Sequence, residues 1–267
     1  PYTYGFVCEA RTTDCALGSS VDCPARSCAD ILAVHPDSTD GTYWLEAGPV
    51  SGAPFEAHCL MDASYDGGGW TLIATFSDDG VATWTWNNRS LLDTDTTTLG
   101  DLSRPGEDFK SAAYHDVLGT EAMFLHAPSG IWASYALADG APTTLGAVVA
   151  AAGGPAARSS SDGIPMVAGT LTAVGNLCDT NLYFNAVDRD GAYPANTWGP
   201  TWSSGFNNGC PFDDPGNAGV GPTQWEPDRE MASVDGSPPA GAGFGYAIGE
   251  NPEPYNSGAI HLQAFHR

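Results

Sequence analysis

The sequence is poor in positive charge. Nine Lys and Arg stand against 32 Asp and Glu over 267 residues, a formal net charge of −23, and Lys110 is the only lysine. A chain this acidic repels phosphate backbones, so nucleic acid is excluded as a partner. Anionic lipid surfaces are disfavoured for the same reason. Also missing is any run of about 18 apolar residues, the length a helical span needs, so no membrane insertion is expected. No leader segment is apparent and the chain begins at Pro1, which reads as a mature or trimmed polypeptide. None of the seven cysteines lies in a C-x-x-C pair, and no Cys/His group has finger spacing, so zinc-ribbon and thioredoxin chemistry lack their ligands. Neither H-E-x-x-H nor G-x-S-x-G occurs, and His35, His58, His115, His126, His261 and His266 are scattered. An enzyme is therefore not expected. There is no internal repeat.

What the sequence does contain begins with its cysteines. Cys8, Cys15, Cys23 and Cys28 crowd the first 28 residues, and Cys59, Cys178 and Cys210 follow at wide spacing. This usage suits disulfides in an oxidising, extracellular compartment. The expected pairs are Cys28 with Cys59 and Cys178 with Cys210, each closing a loop of about 30 residues and contributing about 3–4 kcal/mol in the chain-entropy account. Among Cys8, Cys15 and Cys23 two can pair. The third is either the remnant of a partner lost by truncation or an interchain bridge in a homo-oligomer. Asn88-Arg89-Ser90 is a formal glycosylation sequon. The acidity itself has two readings: solubility or salt adaptation, and carboxylate cages for hard cations such as Ca²⁺.

Residues 1–27 read as a polar, cysteine-bearing extension, and residues 28–267 as the main domain. Cys28 to His35 place Ile31, Leu32 and Val34 in a short helix that ends at His35-Pro36. Asp40-Gly41 is a turn signal before a strand at Thr42-Tyr43-Trp44-Leu45. Phe55–Met61 reads as a second strand, Asp66-Gly67-Gly68-Gly69 as a tight turn, and Trp70–Phe76 as a β-rich third strand. The stretch 77–110 is loop-like. Strands follow at Ala122–His126, at Leu182-Tyr183-Phe184 and at the C-terminal Ala259–Phe265. Within 138–170 one helix is expected at Leu145–Ala152 and surface loop elsewhere. Between 185 and 259, Gly, Pro, Asn and Asp interrupt every pattern. A stretch that long without regular structure needs something to hold it, and bound Ca²⁺ is suited because one ion ties several carboxylates and carbonyls together.

Four segments then carry a family resemblance. Cys28-Ala29-Asp30-Ile31, Asp40-Gly41-Thr42-Tyr43-Trp44-Leu45, Cys59-Leu60-Met61-Asp62 and Asp66-Gly67-Gly68-Gly69-Trp70-Thr71-Leu72 resemble, in order and spacing, the opening of a fibrinogen-related domain. Gly106–Lys110, Tyr114–Val117, Leu125–Pro128 and the terminal Ile260–Arg267 look like the corresponding stretches of intelectins. The match is good over 28–128 and patchy after 181. The resemblance implies an α+β, fibrinogen-like domain with small twisted antiparallel sheets, few short helices and long calcium-held loops. It also implies a secreted, calcium-dependent lectin that binds exocyclic diols of glycans through a protein-held Ca²⁺.

Carried over position by position, the resemblance places a structural Ca²⁺ on Asp108, with the turn Ser77-Asp78-Asp79-Gly80 near another ligand of that site. Asn185, Asp188 and Asp190 match calcium positions of intelectins or of the wider family, and D-x-D spacing is what a hard-cation loop uses because alternate residues turn away. Asp213 falls on a calcium-binding Glu, and Asp214 on a calcium-binding His, an exchange that makes the site harder. Glu226 matches a Pro-Glu ligand segment and Asp235 a further ligand. Asp213 and Glu226 thereby also belong to the implied sugar site. The family's aromatic wall falls near Ala242 and Glu250 or Asn251, none of them aromatic, so Phe244, Tyr246 or Tyr255 is required to take its place. Trp198, Trp202 and Trp225 suit either stacking on sugar faces or the core. The alternative to a lectin is an adhesive or structural interaction domain that keeps Ca²⁺ only for folding.

Overall fold

The computed structural model describes residues 15–77, 81, 83, 90–127, 130–137, 141–152, 164–170, 183–185, 201–203 and 261–267. Its first helix, α1 (Cys28–Val34), starts where Ser27 caps it, the hydroxyl accepting from Asp30 N at 3.2 Å. The helix ends at His35, next to Pro36. Three strands follow: β1 (Gly41–Leu45), β2 (Phe55–Leu60) and β3 (Trp70–Ser77). Then come α2 (Ser90–Asp93), β4 (Phe109–Lys110), α3 (Ala113–Asp116), β5 (Glu121–His126), β6 (Ile131–Ala136) and α4 (Leu145–Ala152). The chain closes with β7 (Ile164–Gly169), β8 (Tyr183–Asn185), β9 (Thr201–Ser203) and β10 (His261–His266).

The described strands join into one antiparallel sheet in the order β1-β2-β3-β10-β5-β6-β7-β8-β9, with β4 paired to β3. The sequence reading had several small sheets. Their union comes from β10, which enters between β3 and β5: Leu262 is opposite Phe76 on one side and His126 on the other. The expected strand character of the segments now seen as β1, β2, β3, β5, β8 and β10 is borne out, as are α1 and α4. The expected loop over 138–170 is corrected at β7. This strand shows no clean alternation, contains Pro165 and leaves Val167 57% exposed, so its order comes from pairing with β6. The loop-like stretches also hold α2, β4 and β9, each of two to four residues.

Every residue of β3 is buried. Ile73 and Phe76 pack with Ile31, Tyr114, Leu145 and Leu262 on the helical side of the sheet. Trp70 and Leu72 pack with Met123, Trp132 and Phe265 in a second cluster. A strand apolar on both faces belongs in the middle of a sheet, where each buried large side chain contributes about 1.5–3 kcal/mol. Among the described residues no helix is long and apolar enough to cross a membrane.

The turn before β3 has left-handed φ at four successive residues: Asp66 at 50°, Gly67 at 86°, Gly68 at 76° and Gly69 at 77°. At Gly68 a Cβ would stand 2.2 Å from the Met61 carbonyl oxygen, so the chain passes itself too closely for a side chain. Arg267 clamps this turn. Its guanidinium donates to Gly68 O at 2.9 Å, to Asp66 O, to Asp66 Oδ2 at 3.2 Å and to Glu121 Oε2 at 2.7 Å, and it lies 4.1 Å from the centre of the Trp70 ring.

Residues 15–27, set apart by composition, run along the outer edge of β1. Trp44 N donates to Gly18 O at 2.8 Å, Ala25 N to Trp44 O at 2.9 Å and Glu46 N to Ala25 O at 2.7 Å, and Ala25 is fully buried. The exposed edge of β1 is thereby satisfied. Cys15 pairs with Cys23 inside this segment. Cys28 pairs with Cys59 as expected and ties α1 to β2. Cys8, Cys178 and Cys210 lie outside the described residues.

Replacing Cys28 and Cys59 together by Ala removes a cross-link that spans 31 residues. The change is expected to lower stability by about 3–4 kcal/mol, read as a fall in the melting temperature of the full chain. An unchanged melting temperature would show that the bond contributes nothing to folding.

Candidate metal centre and a separate cleft

Of the expected metal ligands, Asp108 is the one whose side chain is described. The antiparallel register Thr75–Phe109 and Ala74–Lys110 sets Asp108 beside the end of β3. There Ser77 N donates to Asp108 Oδ1 at 2.8 Å and Ser77 Oγ donates to Gly106 O at 2.7 Å. From the other side β10 places His261 opposite Ser77. Asp108 is buried, 6% exposed. Gly100 (φ 75°) permits this approach, because a Cβ there would stand 2.2 Å from Asp108 O.

The short strand that follows Asp108 holds the sole lysine. Lys110 is fully buried, and its ammonium donates to Leu91 O at 2.7 Å and to Asp95 O, and lies 5.8 Å from the Tyr114 ring centre. Burial lowers its pKa, while the Asp95 carboxylate opposes that shift. His115 Nε2 is 3.2 Å from the same Asp95 carbonyl, which can only accept, so this nitrogen carries the proton. Burial is the main cause that lowers the His115 pKa. These bonds fix the segment 91–95 against β4.

A Ca²⁺ site takes about six to eight oxygens. The expected donor set is made of carboxylate and amide oxygens, which suits a hard cation. Asp108 supplies one carboxylate at the point where Ser77 leads into Asp78-Asp79-Gly80. Those three residues lie outside the described part of the chain, as do Asp188, Asp190, Asp213, Asp214, Glu226, Asp235, Phe244, Tyr246 and Tyr255. Asn185 is described only as backbone, at the end of β8, paired with Thr201. Among the described residues no group of three or more His, Cys, Asp and Glu is placed to hold a metal ion.

A second feature had no counterpart in the sequence reading. A cleft of about 400 Å³ lies between the start of α1, the segment after β1 and the turn after α3, and is lined by Arg26, Asp30, Glu46, Asp116, Leu118 and Pro142 among others. Most of its charges are committed. Arg26 makes a two-pronged pair with Asp30 at 2.8 and 3.0 Å, and Asp116 accepts from Val50 N and Ser51 N at 2.8 Å each. Its residues come from four separated segments, so no local motif could have announced it.

No family model matches the chain. The fibrinogen-like globe domain of human ANGPTL2 is a similar solved structure, at 16% sequence identity and a TM-score of 0.40, covering 91% of this chain and 99% of that one. A TM-score of that size does not establish a common fold, and no residue role passes from that domain to this chain.

Asp108→Ala leaves the buried Ser77 N–H without its acceptor and is expected to cost about 1–3 kcal/mol, measured as a shift of the urea midpoint. Asp108→Asn keeps a carbonyl acceptor and is expected to recover most of that loss. A midpoint for Asp108→Ala equal to that of the unmodified chain would overturn this account of the bond.

Proposed function

We propose that the chain is a secreted, calcium-dependent carbohydrate-binding domain that recognises glycan diols through a protein-held Ca²⁺. The reading rests on the resemblance of residues 28–128 and 260–267 to fibrinogen-related domains of the intelectin branch. The observation that carries it is the buried Asp108, held against Ser77 where the chain enters Asp78-Asp79-Gly80. Asp108 lies about thirty residues from Asp78-Asp79 in sequence, and its own carboxylate sits at the end of β3. Asn185, Asp188, Asp190, Asp213, Asp214, Glu226 and Asp235 supply the other proposed calcium ligands. Asp213 and Glu226, with Phe244, Tyr246 and Tyr255, supply the sugar contacts. The Cys15–Cys23 and Cys28–Cys59 disulfides and the acidic, lysine-poor composition support an extracellular setting.

One specific observation favours a second reading. The positions where the family walls the diol carry Ala242 and Glu250 or Asn251, so the pocket lacks its aromatic wall unless Phe244, Tyr246 or Tyr255 takes that place. Without a wall the chain is an adhesive interaction domain whose Ca²⁺ serves folding alone.

Two measurements separate these readings. Calcium at about a hundredfold over its dissociation constant is expected to stabilise the native chain by about 2.7 kcal/mol, a gain reversed by EDTA. A glycan array is expected to show binding to diol-bearing sugars in calcium and none in EDTA. Calcium stabilisation without glycan binding would leave the adhesive reading, and a melting temperature indifferent to calcium would remove both.

A further inference from the structure

We propose that His266 is an acid-sensitive latch, joining the end of β10 to the 117–120 corner and releasing it when its second ring nitrogen takes up a proton.

The geometry sets the chemistry. His266 is fully buried, and its Nδ1 lies 3.1 Å from Val117 O. A carbonyl oxygen only accepts, so Nδ1 carries the proton and Nε2 a bare lone pair. Nε2 is buried and has no hydrogen-bond partner among the described residues. A proton arriving there would meet no acceptor and would put a cation in the core.

Among the described residues, the surroundings offer no compensating charge. In register, His266 stands between Thr71 of β3 and Ala122 of β5. Among the described residues, the ionisable side chains nearest in chain and register are Arg267 just after β10, Glu121 on β5, and His115 and Asp116 on α3. Arg267 and Glu121 pair with each other at 2.7 Å, Asp116 accepts two backbone N–H groups, and His115 bonds the Asp95 carbonyl. Burial accordingly lowers the His266 pKa to about 4, opposed only by the Val117 bond. In an opened state the imidazole returns toward its ordinary value of 6.5. Opening therefore gains proton affinity, and it becomes more favourable at each step as pH falls from about 6.5 toward 4.

The joint has a defined mechanical role. Thr120 N and Glu121 N donate to Arg267 O at 2.7 and 3.0 Å, and Arg267 N donates to Glu121 O at 3.0 Å. Gly119 exchanges hydrogen bonds with Thr143 at 2.9 and 2.8 Å, and a Cβ on Gly119 would stand 2.2 Å from Arg267 O. Val117 and Leu118, the near end of this corner, form one wall of the cleft. Releasing the latch frees that wall from the strand that supports it.

The test is hydrogen exchange on the full chain at pH 6.5 and 4.5, corrected for intrinsic rates, in wild type and His266→Asn. The Asn amide can donate to Val117 O but does not titrate. In wild type, protection of the amides of Gly119, Thr120, Glu121 and Arg267 is expected to fall by roughly tenfold or more, while the β1–β2 ladder holds. In His266→Asn those amides are expected to keep their protection. His58 and His115 are also lowered by burial, so a loss of protection shared by every strand would be general acid unfolding and would overturn the latch. So would unchanged wild-type protection, or an equal fall in His266→Asn. Should that variant not fold, an NMR titration of the wild-type imidazole serves instead. Its midpoint is expected to coincide with the loss of protection at Gly119–Glu121, and a separate midpoint would overturn the proposal.

Discussion

The insertion of β10 between β3 and β5 is the constraint on which the remaining described structure depends. Those two strands are joined in sequence by more than forty residues, yet neither pairs with the other; each pairs with a strand that comes at the far end of the chain. Until β10 arrives, the inner edges of β3 and β5 present unpaired backbone groups and the apolar side chains of both faces. Leu262 and Ala264 complete one core and Phe265 the other. Closing so long a loop costs chain entropy before any contact is gained. The ladder, two apolar faces and the Arg267 clamp on the Asp66–Gly69 turn are what repay it.

The acidity sorts into separate uses once side chains have places. Asp40 Oδ1 accepts from Met61 N at 2.6 Å and Asp62 N at 3.0 Å, Asp116 fixes the loop after β1, and Asp66 and Glu121 hold Arg267. These carboxylates stabilise backbone or neutralise a cation within the fold. Composition counted them equally with the proposed calcium ligands, because a carboxylate at a turn and a carboxylate in a cation cage are the same letter. The sole lysine shows the same limit from the other side. Expected for solvent by its type, Lys110 is buried and ties carbonyls of a loop to the core.

How far the structure could be read from sequence differs by element. The helix at Cys28–Val34 and the strands up to Ser77 were legible because their boundary signals are local: His35-Pro36, Asp40-Gly41 and the triple glycine. β7, β4 and β9 were not, since each is short or broken by Pro165 and draws its order from a neighbouring strand. The candidate site divides similarly. Asp108 was singled out as a candidate by its place before Phe109-Lys110. Its bond to Ser77 and its burial depend on a register set by the β3–β4 pairing. The cleft at Arg26, Glu46, Asp116 and Leu118 had no legible signal at all, being assembled from segments that no spacing rule connects.

By itself, then, the sequence determined the local grammar of this protein: where backbone must turn left-handed, which runs must be buried, and that Cys28 and Cys59 pair. Those properties follow from steric preference, hydrophobicity and side-chain chemistry, which act residue by residue. Only the tertiary structure decided that the last strand is a central one, that Arg267 grips a turn two hundred residues earlier, and that His266 is held in one tautomer with a bare nitrogen in the core. Such features depend on which distant groups share a dry interior. There, hydrogen-bond partners and desolvation outweigh the preferences each residue shows alone.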